Sequence, residues 1–177
     1  LTLPSNFISG HISTGRSVLS SLIKAFPQNT SADRQVFNTL LRPTLMSLAA
    51  SSGDLIALRG FCTASSSVPF TCFDFTGATP LHAAIVAKDA KCVEWLLKQG
   101  ASVHQRDVQE RCPLLLAILV ESDNLIIDLL IKTGATLSSR DQETKKLFFN
   151  SIIQGNFSII ERMCSLGINP QSIHDSH

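Results

Sequence analysis

Histidine and acidic side chains are the first groups in this chain to consider for chemistry. His82 follows Thr79-Pro80-Leu81, and a histidine held on a defined motif can act as a general base or a metal ligand. No nucleophile elbow, phosphate-binding glycine loop or H-E-x-x-H helix accompanies it. His104 is expected in a turn, and His174 and His177 lie in a polar tail with too few partners for a metal site. The sequence therefore predicts no catalytic, cofactor-binding or metal-binding residue and no cofactor.

Cysteine thiolates are the other candidate nucleophiles and metal ligands. Their number is odd, no C-x-x-C pair occurs, and no histidine lies at zinc spacing from any of them. We predict that they are small buried hydrophobic side chains in a reducing compartment, with a metal or disulfide role as the weaker alternative. The five residues are Cys62, Cys72, Cys92, Cys112 and Cys164.

Composition excludes several classes of function. The net charge of +1 over 177 residues argues against nucleic-acid binding, which needs a clustered basic face. The longest apolar run, Leu114 to Val120, is far shorter than the about 20 residues that span a bilayer. The first residues lack the pattern of a secretory signal, and the absence of an initial methionine suggests a piece of a longer protein. We expect a cytoplasmic protein with no membrane span.

A turn followed by two helices positions His82. Gly77 suits a tight turn, Thr79 can cap a helix, and Pro80 fits the first helical position, where its missing N–H costs nothing. Gly100 is placed to end the second helix.

The same pattern recurs, and it resembles the ankyrin repeat. Asp74 and Pro80 recur 33 residues on, and the offset then becomes 34, with one residue inserted near Val120-Glu121. An earlier copy matches at an offset of 35 residues. Recurring positions of the motif are Pro113, Gly134 and Gly167.

The resemblance implies an all-α solenoid of about four helix-turn-helix repeats, preceded by a helical cap. The predicted segments are a linker and cap at 1–42, repeats at 43–73, 74–106 and 107–140, a degenerate repeat at 141–170 and a tail at 171–177. The alternative for the N-terminal helices is that they pack on a missing upstream domain. In ankyrin repeats the signature histidine ties neighbouring repeats together, so we expect a structural role for His82.

The second helix of each repeat carries the clearer apolar pattern. Val93, Leu96 and Leu97 are predicted to be buried, with Glu94 in solvent. The corresponding apolar positions are Ile127, Leu130 and Ile131, then Ile160, Met163 and Cys164; the solvent positions are Asp128 and Glu161. The last repeat has Lys146-Leu147-Phe148-Phe149 in place of the proline motif, so its first helix is predicted to lack the usual start and to fray.

Turn tips and first-helix faces line a concave groove in this family, where partners usually dock. Phe75 is the strongest single candidate, because aromatic side chains dominate binding hot spots; packing against the preceding serine-rich loop is an equal alternative. The predicted partner-binding residues are Phe75, Thr76, Lys88, Asp89, Val108, Gln109, Glu110 and Arg111.

A closer resemblance rests on the flanks of the motif. Arg42 to Ala50, Ser52 to Leu58, the leucine run after Pro113, and Gly134-Ala135-Thr136-Leu137-Ser138 are similar to the C-terminal ankyrin region of animal type I L-asparaginases, also described as 60-kDa lysophospholipases. The likeness covers about residues 35 to 170. It implies the noncatalytic tail of a cytosolic amidohydrolase, since nothing here matches the family's catalytic motifs. The partner is then a separate protein or an upstream catalytic domain of the same chain. The alternatives are an asparaginase activity that belongs only to the parent protein, or a standalone adaptor.

Overall fold

The computed structural model describes residues 41–63, 74 and 77–171. Within that part of the chain every regular element is an α-helix, in agreement with the predicted all-α fold. The predicted N-terminal cap, the serine-rich loop, Phe75 and Thr76, and the tail after Gln171 lie outside the described residues. The helices are α1 (Arg42–Ser51), α2 (Leu55–Thr63), α3 (Pro80–Val86), α4 (Ala90–Lys98), α5 (Pro113–Leu119), α6 (Asn124–Lys132), α7 (Gln142–Gln154) and α8 (Phe157–Ser165).

The helices form pairs that stack into two layers. The inner helices α1, α3 and α5 pack side by side, α4 packs on α6 in the outer layer, and α8 packs against α5 and α7. Leu58, Ile85, Leu114 and Leu130 belong to one continuous apolar core between the layers. Each pair completes the core of its neighbour, so the predicted solenoid is confirmed.

The turn between the two helices of each pair repeats closely and fixes which residues are equivalent. A backbone N–H after the turn donates to an inner-helix carbonyl four times along the chain, at spacings of 35, 33 and 34 residues. The accepting residues are Ala49, Ala84, Ala117 and Ser151. Lys88 and Glu121, which precede two of the donors, share a left-handed backbone with φ of 56° and 51°. Because Glu121 still follows Lys88 by 33 residues while α6 follows α4 by 34, the predicted insertion lies directly after Glu121.

Inner helix α3 begins with a capping box. The Thr79 side chain accepts a hydrogen bond from the His82 backbone N–H, His82 returns one to the Thr79 N–H, and Pro80 occupies the first turn. Gly77 has a φ of +71°, and a Cβ atom there would overlap Val108 in the next repeat. The turn of one repeat therefore packs directly on the turn of the next.

Replacing Gly77 with alanine is expected to lower the free energy of unfolding by about 1–3 kcal/mol, because alanine combines an unfavourable φ with the overlap on Val108. Urea denaturation measures the change. Gly60→Ala is the matched control: Gly60 lies in helix α2 with open space around its Cβ position, so that variant is expected to be neutral or slightly more stable. Equal losses from both variants would refute the proposed contact between turns.

The prediction for the last repeat was wrong. Helix α7 runs for 13 residues and begins at Gln142, five residues before the position equivalent to Pro113. Asp141 supplies the missing start, because its carboxylate accepts hydrogen bonds from the Thr144 backbone N–H at 3.1 Å and from the Thr144 hydroxyl at 2.9 Å. Residues that form a turn in the preceding repeats are helical here.

The outer-helix pattern needs a second correction. Ile131 and Cys164 were predicted to be buried but are exposed, and Leu97 is only partly buried. Each outer helix is rotated so that the residue before the predicted stripe faces the inner helices, as Cys92, Ile126 and Ile159 do. The predicted solvent positions Glu94, Asp128 and Glu161 are exposed.

The cysteines differ among themselves. Burial, with a smaller contribution from Asp89, raises the pKa of the Cys92 thiol to about 12, and burial also raises the pKa of half-buried Cys112. Cys164 is exposed, against prediction, because it lies on the side of α8 away from the core. The side chain of Cys62 and all of Cys72 lie outside the described residues.

Candidate partner-binding groove

His82 is a buried link between two repeats. Its Nδ1 lies 2.8 Å from the Thr79 hydroxyl oxygen, and its Nε2 lies 3.1 Å from the carbonyl oxygen of Arg111. A carbonyl only accepts, so Nε2 carries the proton and donates to Arg111, while Nδ1 accepts from Thr79. Both ring nitrogens are therefore used within the fold, as expected for a structural histidine.

Burial lowers the pKa of His82 below its ordinary value of 6.5, and the hydrogen bond to Arg111 offsets this only in part. The neutral ring is the favoured form in the folded protein, so the unfolded chain binds the proton more readily. The stabilisation is fully present above pH 6.5 and is lost as the pH falls from 6.5 through the lower folded pKa. We expect the urea midpoint to fall over this range, and His82→Gln to remove that part of the pH dependence. A variant as pH-sensitive as the parent chain would contradict this assignment.

The turn before α5 is organised by Asp107. One carboxylate oxygen accepts from the backbone N–H groups of Gln109 and Arg111, at 2.9 and 3.0 Å. The other accepts from the Arg111 guanidinium at 2.8 and 2.6 Å. Burial raises the pKa of Asp107, but the hydrogen bonds from Arg111 outweigh it and hold the pKa below its ordinary value. Arg111 is thus occupied in the turn, and the tip exposes Val108, Gln109 and Glu110.

An ion pair joins this turn to the last repeat. The Arg106 guanidinium lies 2.7 Å from a carboxylate oxygen of Asp141 and also donates to the carbonyl oxygen of Glu110 at 2.5 Å. Burial acts to raise the pKa of Asp141, whereas hydrogen bonds from Arg106 and Thr144 lower it and prevail. The cap of α7 is therefore tied to the preceding turn.

The predicted partner-binding residues do not form one cluster. Lys88 follows the C-terminal end of α3, whereas Val108 to Arg111 precede the N-terminal end of the neighbouring helix α5. The Lys88 ammonium donates to the carbonyl oxygen of Glu121 at 3.2 Å, and the Asp89 carboxylate caps α4. Phe75 and Thr76 lie outside the described residues, so their roles remain predictions.

A cleft of about 390 Å³ opens between the inner helices α1 and α3. Its rim carries two apolar side chains, Leu48 and Val86, which are 52% and 57% exposed. Hydroxyl groups on α1 and the bases of two turns complete the wall. Lining residues that the sequence prediction did not include are Thr44, Ser47, Leu48, Ser51, Ala83 and Val86.

A smaller cleft of about 200 Å³ lies between α5 and α7. Leu115, Leu119 and Leu147 line it, with Arg111 and Lys146 at its edge. The two clefts share Arg111, so they form one groove along the inner helices. The recurrence of Val86 as Leu119 is the sequence signal that could have indicated this surface.

Two features of the described residues concern other kinds of site. No group of three or more histidine, cysteine, aspartate or glutamate side chains is placed to hold a metal ion in the ranges that the structure covers. Nor does any helix in those ranges combine the length and the apolar character needed to cross a membrane.

Comparison with known proteins defines the class first. Residues 76–108 match the family model described as "Ankyrin repeat". With the stacked helix pairs and the buried histidine link, this establishes an ankyrin-repeat solenoid, a fold that supports a protein-interaction module. The first predicted resemblance is therefore confirmed.

The second resemblance is also confirmed as a likeness. The chain is similar to "L-asparaginase" of Dirofilaria immitis, with 28% identity over 105 residues. The match covers 59% of this chain and 18% of that relative, so the chain matches less than a fifth of the relative's length.

Proposed function

We propose that this chain is a noncatalytic protein-interaction module that binds a segment of a partner protein in the groove along α1, α3 and α5. The single observation that carries the proposal is the cleft between α1 and α3, whose rim exposes Leu48 and Val86. Exposed apolar side chains beside a concave wall are typical of interaction sites.

The charges around the groove support binding through apolar contact. Arg111 pairs with Asp107, Arg106 pairs with Asp141, and Lys146 pairs with Glu143. These groups are occupied within the fold and offer less to an oppositely charged partner. Exposed Val108 at the turn tip, and Phe75 beside it in sequence, extend the apolar surface of the proposed site.

We also propose that the module is the C-terminal part of a cytosolic asparaginase-like amidohydrolase. The support is the likeness to an L-asparaginase together with the small share of that relative that the match covers. Asparagine hydrolysis would then belong to the parent protein, and an upstream catalytic domain would be a candidate partner. A standalone ankyrin adaptor is the alternative.

Groove variants test the interaction proposal. We expect Leu48→Asp combined with Val86→Asp to release a partner that the parent chain retains from an extract of its source, because two carboxylates would line the apolar rim. Ile56→Asp is the matched control: Ile56 is 73% exposed on outer helix α2, away from the groove. Quantitative mass spectrometry compares the bound proteins, and circular dichroism verifies folding. A partner retained equally by all three chains would contradict the proposed site.

A further inference from the structure

The signature histidine position can be followed through all four helix pairs. The inner-helix carbonyls that accept the turn hydrogen bond lie two residues after it, at Ala49, Ala84, Ala117 and Ser151. The equivalent residues at the histidine position are therefore Ser47, His82, Leu115 and Phe149. Ser47 is much the smallest of them.

The turn that faces Ser47 is the same turn that His82 binds in the next repeat. The Asp107 N–H donates to the Arg111 carbonyl at 3.1 Å, and the Asp74 N–H donates likewise to the Ala78 carbonyl at 2.9 Å. The Ala78 N–H in turn donates to the Asp74 carboxylate at 3.1 Å, as Arg111 does to Asp107. The carbonyl of Ala78 is thus the counterpart of the carbonyl that receives the imidazole N–H of His82.

Ser47 does not replace the imidazole at that carbonyl. Its residue is only 6% exposed, yet its hydroxyl oxygen has no hydrogen-bond partner among the described residues. A buried hydroxyl left in this state costs about 1–3 kcal/mol. The side chain is too short to span the gap between the repeats that His82 spans one repeat later.

Space is left where a ring would sit. Ser47 and Ala78 both line the cleft of about 390 Å³ between α1 and α3. A cavity of about 150 Å³ is enough to hold a benzene molecule in a protein interior. The cleft can therefore accept a planar ring between the Ser47 hydroxyl and the turn.

We propose that the cleft between α1 and α3 binds the histidine side chain of a docked partner segment, whose imidazole N–H donates to the Ala78 carbonyl while its other nitrogen accepts from the Ser47 hydroxyl. This arrangement repeats the one that His82 makes with Arg111 and Thr79. It rests on the proposed function in that the imidazole comes from a protein bound in the groove. Imidazole is the occupant because it is the group that the fold itself uses at this position.

The free probe 4-methylimidazole tests the site without a partner. We expect it, at millimolar concentration, to shift the amide resonances of Ser47 and Ala78 in a ¹⁵N NMR titration. Ser47→His fills the cleft from within, so this variant should bind the probe at least tenfold more weakly. Ser47→Leu, which copies Leu115, should weaken binding in the same way if the histidine variant fails to fold. Undiminished binding to whichever variant folds would overturn the proposal.

A second probe separates imidazole recognition from filling of an apolar hole. 3-Methylthiophene has a similar five-membered ring but no N–H, and it should bind at least tenfold more weakly than 4-methylimidazole. Equal binding of the two probes would overturn the proposal. Probe binding with no effect of the groove variants on partner capture would refute the proposed function alone; capture that depends on the groove without probe binding would refute this inference alone.

Discussion

Ile85→Ala is expected to lower the free energy of unfolding by about 2–5 kcal/mol. Ile85 is fully buried in α3, the inner helix that packs against both α1 and α5. Truncating it removes apolar contacts and leaves a cavity that well-packed neighbours fill only in part. Because each repeat depends on its neighbours, we expect the loss to destabilise the stack as a unit.

Val86→Ala is the matched control for this experiment. Val86 is adjacent in sequence on the same helix but faces the groove, and its replacement is expected to change stability by about 0.5 kcal/mol or less. Urea denaturation followed by circular dichroism measures both variants. A similar effect of the two substitutions would show that α3 is not buried between its neighbours as described.

Asp107→Ala is expected to lower the free energy of unfolding by about 2–4 kcal/mol, since the loss of this carboxylate leaves several donors without an acceptor. The buried side chain accepts hydrogen bonds from the backbone of Gln109 and from both the backbone and the guanidinium of Arg111. The same turn presents the carbonyl that binds His82, so its disorder would also weaken the link to the preceding repeat.

Asp107→Asn gives the graded control. The amide oxygen can keep the two backbone hydrogen bonds while the charge that attracts Arg111 is removed, so we expect about half of the loss. Because the folded pKa of Asp107 is lowered, the stabilisation by its charged form is present above the ordinary pKa of 3.8 and lost as the pH falls through the folded value. Equal stability of Asp107→Ala and the parent chain at neutral pH would contradict the role assigned to this turn.

Local signals in the sequence were sufficient for most of the fold. Gly77, Thr79 and Pro80 predict the start of α3 because each satisfies a backbone requirement of a turn or a helix N-terminus, and the structure uses them in that way. The changing offset between repeats predicted an extra residue in the second inter-helix turn, and only its position shifted slightly.

The mistakes arose where spacing was given more weight than capping or packing. The missing proline suggested a frayed last repeat, but Asp141 and Thr144 form a cap that starts α7 earlier. The buried stripe was assigned with Leu97, although the outer helices are rotated toward Cys92, and the i, i+3, i+4 pattern alone does not fix that rotation.

The groove was the least predictable part. The offset of 35 residues already related Ser47 to His82, but the importance of a short side chain there depends on the turn at Asp74 and Ala78 lying across from it. Tips and inner-helix ends were grouped from the family pattern, and the structure places Lys88 at the opposite end of an inner helix from Val108.

The mass of the native polypeptide tests most directly whether this solenoid is the noncatalytic part of a larger amidohydrolase. An antibody raised against residues 74–107 would be used both to detect the protein in an extract of its source and to deplete it. We predict a polypeptide several times longer than these 177 residues, with asparagine-hydrolysing activity removed by the antibody. A polypeptide no longer than this chain, with activity unchanged by depletion, would contradict that origin and favour a small ankyrin adaptor.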